Sequence, residues 1–250
     1  MNGNLTTKWK DILKVCIFGA TGSIGRAVCR SLDDQYNEEL HIAAVARTAR
    51  QLVALKKEFR GVKTTATLDV AKDKGALEDL VKNLPDMDAV IYTIGECPPQ
   101  GFAKSVSKPL TDRTLIKHLY RELNQQVIGL QRVVSTMLPH IKEGGTIVVI
   151  GSAINRVTDE SCPPWLFAGH YASAKACQKE MLCWMRRDPL VKKRRIKIKY
   201  LAPAAIDTPF HNSKEGKFTL KLLSLEYVTE VILSLITSHH LPEEYTLLPS

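Results

Sequence analysis

The six cysteines, Cys16, Cys29, Cys97, Cys162, Cys177 and Cys183, include no C-x-x-C pair. Scattered spacing of this kind argues against a zinc site or a disulfide framework, and free cysteine within apolar stretches behaves as a small hydrophobe. Long hydrophobic runs are missing as well. The longest, such as Ile147 to Ile150, are strand-sized, whereas a membrane helix needs roughly 20 apolar residues. No membrane span or membrane partner is therefore expected. The polar stretch from Met1 to Asp11 carries Lys8 and Lys10 with no apolar core or cleavage site behind them, so the expected location is cytoplasmic. No Pro-rich, Gly-rich or repeated segment marks a linker, a solenoid or disorder, and residues 1–250 read as a single domain. Aromatics are not interleaved with the basic run Lys192-Lys193-Arg194-Arg195, which leaves the net charge of +9 without base-stacking partners. That run reads as a solvated helix-to-strand connection, and no nucleic-acid partner is expected.

What the chain does have is a regular alternation of patterns. Apolar, β-branched-rich runs of strand length fall at Leu13–Gly19, Leu40–Ala46, Val62–Leu68, Met87–Ile94, Thr146–Gly151, Ile196–Ala202 and Tyr245–Leu248. Between them, Arg26–Asp33, Ala49–Phe59, Lys74–Leu84, Thr114–Ile141, Tyr171–Arg187 and Leu225–Thr237 space their apolar residues at three and four, as amphipathic helices do. Strict βα alternation predicts a mostly parallel, seven-stranded sheet. Right-handed crossovers then cover both of its faces with helices, the doubly wound Rossmann-type α/β architecture.

The first strand ends in Gly19-Ala20-Thr21-Gly22-Ser23-Ile24-Gly25 and runs straight into a helical pattern. Gly19 permits a tight turn, Gly22 and Ser23 keep side chains small where backbone meets pyrophosphate, and Gly25 lets helix pack closely on strand. The helix N-terminus offers free N–H groups and positive partial charge to a phosphate. This junction of a βαβ unit is the context in which a glycine trio signifies dinucleotide binding. NAD-preferring sites usually place Asp or Glu at the end of the second strand, but here that strand closes Val45-Ala46-Arg47-Thr48. Arg47, with Arg50 one turn further on, suits a 2′-phosphate instead, so NADP(H) is the expected cofactor.

Tyr171-Ala172-Ser173-Ala174-Lys175 sets a phenol and an ammonium at i and i+4 on one helical face. Together with the glycine turn and Ser152, at the end of Ile147-Val148-Val149-Ile150-Gly151-Ser152, these residues resemble the short-chain dehydrogenase/reductase family over nearly the whole chain. The resemblance implies an oxidoreductase whose catalytic residues are Asn124, Ser152, Tyr171 and Lys175. It further implies cofactor contacts from Asp69 and Val70 after the third strand, from Gly95 after the fourth, and from Pro203, Ile206 and Thr208 in the loop after the sixth.

Reducing a carbonyl requires a hydride on carbon and a proton on oxygen. A free phenol, with a pKa of about 10, exchanges protons poorly near neutrality, and a neighbouring ammonium lowers that pKa by favouring phenolate. In the family, the lysine also holds the nicotinamide ribose, the serine orients the carbonyl, and the asparagine helps hold a water for proton return. His170 adjoins Tyr171 but has no carboxylate partner evident in sequence and reads as structural.

The chain also departs from the family pattern. Ser23 replaces a usual glycine, Tyr92-Thr93-Ile94-Gly95 stands where Asn-Asn-Ala-Gly is usual, and Ala204 replaces the glycine after Pro203. The interval from Ser152 to Tyr171 is about six residues longer than the family's. Nucleotide-sugar epimerases and dehydratases of the same superfamily need an extra substrate domain, for which the 42 residues after Thr208 are too few. A non-catalytic NADP(H)-sensing regulator is the other alternative, but its usual mark is a lost Tyr or Lys, and both are present. Pocket walls are expected at Glu96–Phe102, Ser161–Gly169 and Phe210–Phe218, with no arginine cluster for a highly anionic substrate. A neutral, fairly apolar ketone, aldehyde or alcohol is the expected substrate. The apolar content of Thr114–Ile141 and Tyr171–Arg187 suggests pairing across a two-fold axis into a homodimer or homotetramer.

Overall fold

The computed structural model describes residues 12–36, 39–95, 113–156, 169–208, 222–238 and 240–248. Most of the expected pocket walls, Glu96–Phe102, Phe210–Phe218 and Ser161–Gly169 apart from Gly169 itself, lie outside the described residues, as do Cys97 and Cys162. Among the described residues, seven strands form one all-parallel sheet: β1 (Leu13–Phe18), β2 (Leu40–Ala46), β3 (Val62–Thr67), β4 (Met87–Tyr92), β5 (Ile141–Ile150), β6 (Lys197–Pro203) and β7 (Glu244–Leu247). Their spatial order is β3-β2-β1-β4-β5-β6-β7. The chain winds outward both ways from β1 and β4, so their carboxyl ends frame the crevice where doubly wound sheets bind ligands.

Alternating side chains send each strand's residues to opposite faces, and both faces are apolar because both carry helices. Val15 and Ile17 pack with α1 (Ser23–Tyr36), α2 (Ala49–Glu58) and α8 (Leu225–Thr237), through Val28, Leu32, Leu55 and Ile232. Cys16 and Phe18 face α3 (Lys74–Lys82), α5 (Gly129–Met137) and α6 (Gly169–Met185), through Leu77, Leu130, Val133 and Leu182. Each such fully buried aliphatic side chain contributes about 1.5–3 kcal/mol relative to exposure. None of the described helices is long and apolar enough to cross a membrane.

The helix expected over Thr114–Ile141, broken only near Pro139, is interrupted there and also at Asn124–Ile128. The segment divides into α4 (Arg113–Leu123), a π-turn over Asn124–Ile128, α5, and a 3₁₀ turn over Leu138–His140. Pro139 has no N–H for an i−4 bond and its ring crowds the preceding turn, so the helix cannot continue through it. β5 therefore starts at Ile141, five residues before the expected Thr146. Ile141 pairs with Met87, the register then shifts, and pairing resumes at Ala89 with Thr146. Gly144, at φ +75°, takes the left-handed turn in the bulge between them.

The basic run is more than a solvated connection. It leads from α7 (Pro189–Lys193) into β6, and Arg194 donates to the carbonyls of Leu138, Pro139 and Ile141, at 2.8, 2.8 and 2.5 Å. One guanidinium thus binds together the carbonyls of the 3₁₀ turn and the first carbonyl of β5.

Candidate active site

The nucleotide side is built chiefly from backbone. Gly19 sits at φ +89°, and a Cβ there would fall 2.5 Å from Thr93 Oγ1. A Cβ on Gly25 would fall 2.3 Å from the Gly19 carbonyl oxygen, so the turn and the first turn of α1 touch with no room for a methyl group. The N–H groups of Gly19 and Ala20 donate to Val45 O at 2.9 and 3.1 Å, which anchors the turn to β2. Thr93 Oγ1 donates to the carbonyls of Phe18 and Gly19, tying the end of β4 to the same turn. Ser23, Ile24 and Gly25 open α1, where first-turn N–H groups have no intrahelical acceptor.

Beside this turn lies a cleft of about 250 Å³. Its lining brings together Gly19, Thr21, Gly22, Arg47, Asp69, Val70 and Gly95 from the expected cofactor set, and adds Gln51 and Gln125. The end of β2 contributes Val45, Ala46 and Arg47 to the lining and no carboxylate. Asp69 shapes its own loop, since its carboxylate accepts from Ala71 N at 2.9 Å and its N–H donates to Asp73 at 2.7 Å.

The reaction side is built from side chains. Ser152 follows β5, and its Oγ accepts from Ile154 N at 3.2 Å at the start of a 3₁₀ turn over Ala153–Arg156. Tyr171 is half-buried in the first turns of α6, and Lys175 follows one turn on, buried at 2% exposure. The Lys175 ammonium donates to Ile150 O at 2.8 Å and to Gln178 Oε1 at 3.2 Å, and stands 5.6 Å from the centre of the Tyr171 ring. The lysine thus straps α6 to the end of β5, two residues before Ser152. Burial pushes its pKa down to about 7, while the Glu122 carboxylate pulls it back up. A Cβ on Gly95 would lie 3.2 Å from Lys175 Nζ, so the nucleotide cleft and the lysine meet at the end of β4.

Asn124 is not among the residues that these contacts bring to Lys175. It opens the π-turn, is exposed, and its carbonyl accepts from Gly129 N in the i+5 bond that defines the turn. A second amide besides Gln178 reaches this place: Gln126 is fully buried, with its Oε1 3.6 Å from the same Gly95 Cβ position. The π-turn inserts an extra residue and rotates the helix face, which a count along a regular helix does not anticipate. Sequence reasoning also passed over Glu122 and Gln178, both fully buried. A signal existed: Glu122 and Gln126 share the stripe that continues through Gly129, Leu130 and Val133, and polar residues on an apolar stripe ask for partners.

At the far edge, Pro203 closes β6, Ile206 bridges Leu223, and Ile206 and Thr208 are buried. His170 lies against His118, ring centres 5.7 Å apart, and burial pushes both imidazoles toward the neutral form.

No curated protein sequence matches the chain. Solved structures match at the level of fold. A short-chain dehydrogenase from Burkholderia cenocepacia in complex with NADP has a TM-score of 0.75 at 15% identity, over 96% of this chain and 89% of that one. An alcohol dehydrogenase from the archaeon Thermococcus sibiricus complexed with 5-hydroxy-NADP has a TM-score of 0.71 at 22% identity, over 94% and 96%. Serine dehydrogenase from Escherichia coli has 0.71 at 20%, over 95% and 98%. The sequence profile of the short chain dehydrogenases matches residues 13–217, from the first strand past Thr208 and so across both sides of the cleft. The chain belongs to the short chain dehydrogenase family of oxidoreductases.

Proposed function

We propose that the protein is an NADP(H)-dependent oxidoreductase that interconverts a ketone or aldehyde and the corresponding alcohol, with Tyr171 as general acid and base, in one domain that both binds cofactor and carries out the chemistry. The observation that carries this reading is the buried Lys175 ammonium, fixed by Ile150 O and Gln178, between the Tyr171 ring and the cofactor cleft at Gly95. An ammonium held there favours phenolate at Tyr171 and offers a donor to a ribose hydroxyl. The glycine turn and the first turn of α1 would hold the pyrophosphate, and Arg47 the 2′-phosphate.

The bound dihydronicotinamide supplies the hydride. The protein's part is to orient the carbonyl through Ser152 and to deliver the proton from the Tyr171 hydroxyl to its oxygen. The amide role first given to Asn124 passes to Gln126. Two of the solved structures named above were crystallised with NADP or a derivative of it, which agrees with Arg47 at the end of β2. The substrate proposed is a neutral, fairly apolar carbonyl compound or alcohol.

NADPH oxidation followed at 340 nm across a panel of ketones and aldehydes tests the reading, with Tyr171→Phe as the inactive control. Turnover by the unmodified protein alone supports it, and equal turnover by the variant overturns it. A homo-oligomer is expected because Ile116, Tyr120 and Ile128 on the α4 and π-turn segment, and Trp184 on α6, are exposed apolar side chains on helices that pack together. Light scattering reporting a 27.9 kDa particle at micromolar concentration would contradict it.

A further inference from the structure

The proposed chemistry leaves one buried acid without a role. Glu122 on α4 has no exposed surface. Desolvating a carboxylate costs several kcal/mol unless charge and hydrogen bonds compensate it. Its oxygens accept from Arg121 Nη2 at 3.3 Å and from Gln126 Nε2.

An ionised carboxylate only accepts, so it fixes which end of the Gln126 amide faces it. The NH₂ group must turn toward Glu122, and Oε1 must turn away. That Oε1 is buried, has no hydrogen-bond partner among the described residues, and approaches the same Gly95 Cβ position as Lys175 Nζ, at 3.6 and 3.2 Å. Gln178 ties the two helical segments together, donating to Gln126 O at 3.0 Å while its Oε1 accepts from Lys175 at 3.2 Å. The result is a buried string, Glu122–Gln126–Gln178–Lys175, that ends at the cofactor cleft.

We propose that Glu122 is a positioning residue for the reaction site: it aims the Gln126 Oε1 at the space shared by Lys175 and the cofactor, and it is the anionic end of the buried string that closes on the Lys175 ammonium. The inference rests on the reading of Lys175 as a ligand of the cofactor ribose. The groups facing this string agree with the assignment. Arg121 and Lys117 on α4 are cations and do not favour a second one, and His118 on α4 and His170 on α6 are held toward neutrality by burial. Tyr171 presents its ring, and Tyr200 on β6 donates to Lys175 O at 3.4 Å. Glu122 is the anion that raises the lysine's pKa against its burial.

The test is the pH dependence of NADP⁺ binding by calorimetry, between about pH 6 and 9, for the unmodified protein, Glu122→Gln, Glu122→Asp and Lys175→Met. Binding weakens as pH rises and Lys175 loses its proton, and Lys175→Met removes that limb. The 2′-phosphate titrates equally in all four and cancels. Glu122→Gln is expected to move the midpoint down by about one pH unit, which weakens Kd up to about tenfold above it, and Glu122→Asp to move it part of the way. A midpoint unmoved in whichever Glu122 variant folds overturns the inference. If that happens while Tyr171→Phe still abolishes turnover, the oxidoreductase reading stands. If no carbonyl is reduced but the midpoints shift, the Glu122 inference stands and the oxidoreductase reading falls. Absence of NADP⁺ binding overturns both.

Discussion

The cleft at the glycine turn and the polar cluster that meets it at Gly95 are made of different materials. On the β1–β2 side, geometry comes from main chain, with a left-handed Gly19, a Gly25 pressed against the Gly19 carbonyl, and a helix N-terminus in the first turn of α1. On the β5–α6 side it comes from buried polar side chains, Lys175, Gln178, Gln126 and Glu122, each bonded to another or to a strand-end carbonyl. A backbone site fails when an atom is added, because there is no space. A side-chain site fails when a charge or a donor is removed, because the partner left behind is buried.

The contrast can be broken first at Tyr171. Tyr171→Phe should lower turnover by at least about 100-fold, the usual contribution of a positioned general acid, while NADPH affinity stays within about twofold. Steady-state kinetics and cofactor fluorescence read the two quantities separately, and loss of both together would place Tyr171 with the cofactor rather than with the chemistry. Ser152→Ala should cost about 100-fold in kcat through a lost transition-state hydrogen bond. It should also cost about 1 kcal/mol of stability, because Ser152 Oγ accepts from Ile154 N. A fall in affinity without a fall in kcat would contradict that assignment.

On the backbone side the effects should appear in binding. Arg47→Asp should reduce the preference for NADPH over NADH by about tenfold or more, the worth of one charge-assisted contact, as measured by parallel titrations. Equal affinities in the unmodified protein would remove Arg47 from the site. Gly25→Ala should cost about 1–3 kcal/mol in chemical denaturation, since its Cβ would sit 2.3 Å from Gly19 O, and should weaken cofactor binding. Unchanged stability would mean the turn can shift.

Lys175 sharpens the comparison through pH. Burial lowers the Lys175 pKa from 10.5 to about 7, so between those values the unfolded chain binds more protons than the folded one. This group's contribution to folding stability therefore rises with pH across that window. Lys175→Met should flatten that rise in denaturation curves, whereas Arg47→Asp should leave it in place.

The legibility of the two sides differs for the same reason as their chemistry. Gly19, Gly22 and Gly25 act within seven residues of chain, and the βα junction that gives them meaning is visible as a change of period from two to 3.6. The i, i+4 spacing of Tyr171 and Lys175 is likewise local. The burial of Gln126 rather than Asn124 depends on a π-turn, and the start of β5 at Ile141 depends on pairing through a bulge with Met87, 54 residues earlier, which no local pattern shows.

The sequence by itself determined the alternation of strands and helices, the parallel sheet, the glycine turn, the Arg47 end of β2 and the tyrosine–lysine pair, since each follows from periodicity or from contacts a few residues apart. Only tertiary structure decided that Gln126 rather than Asn124 is buried beside Gly95, that Arg194 closes the turn at Pro139, and that Glu122 is buried with its partners. Those outcomes depend on which distant groups are left to satisfy a buried charge or carbonyl, and that requirement exists only once packing has excluded water.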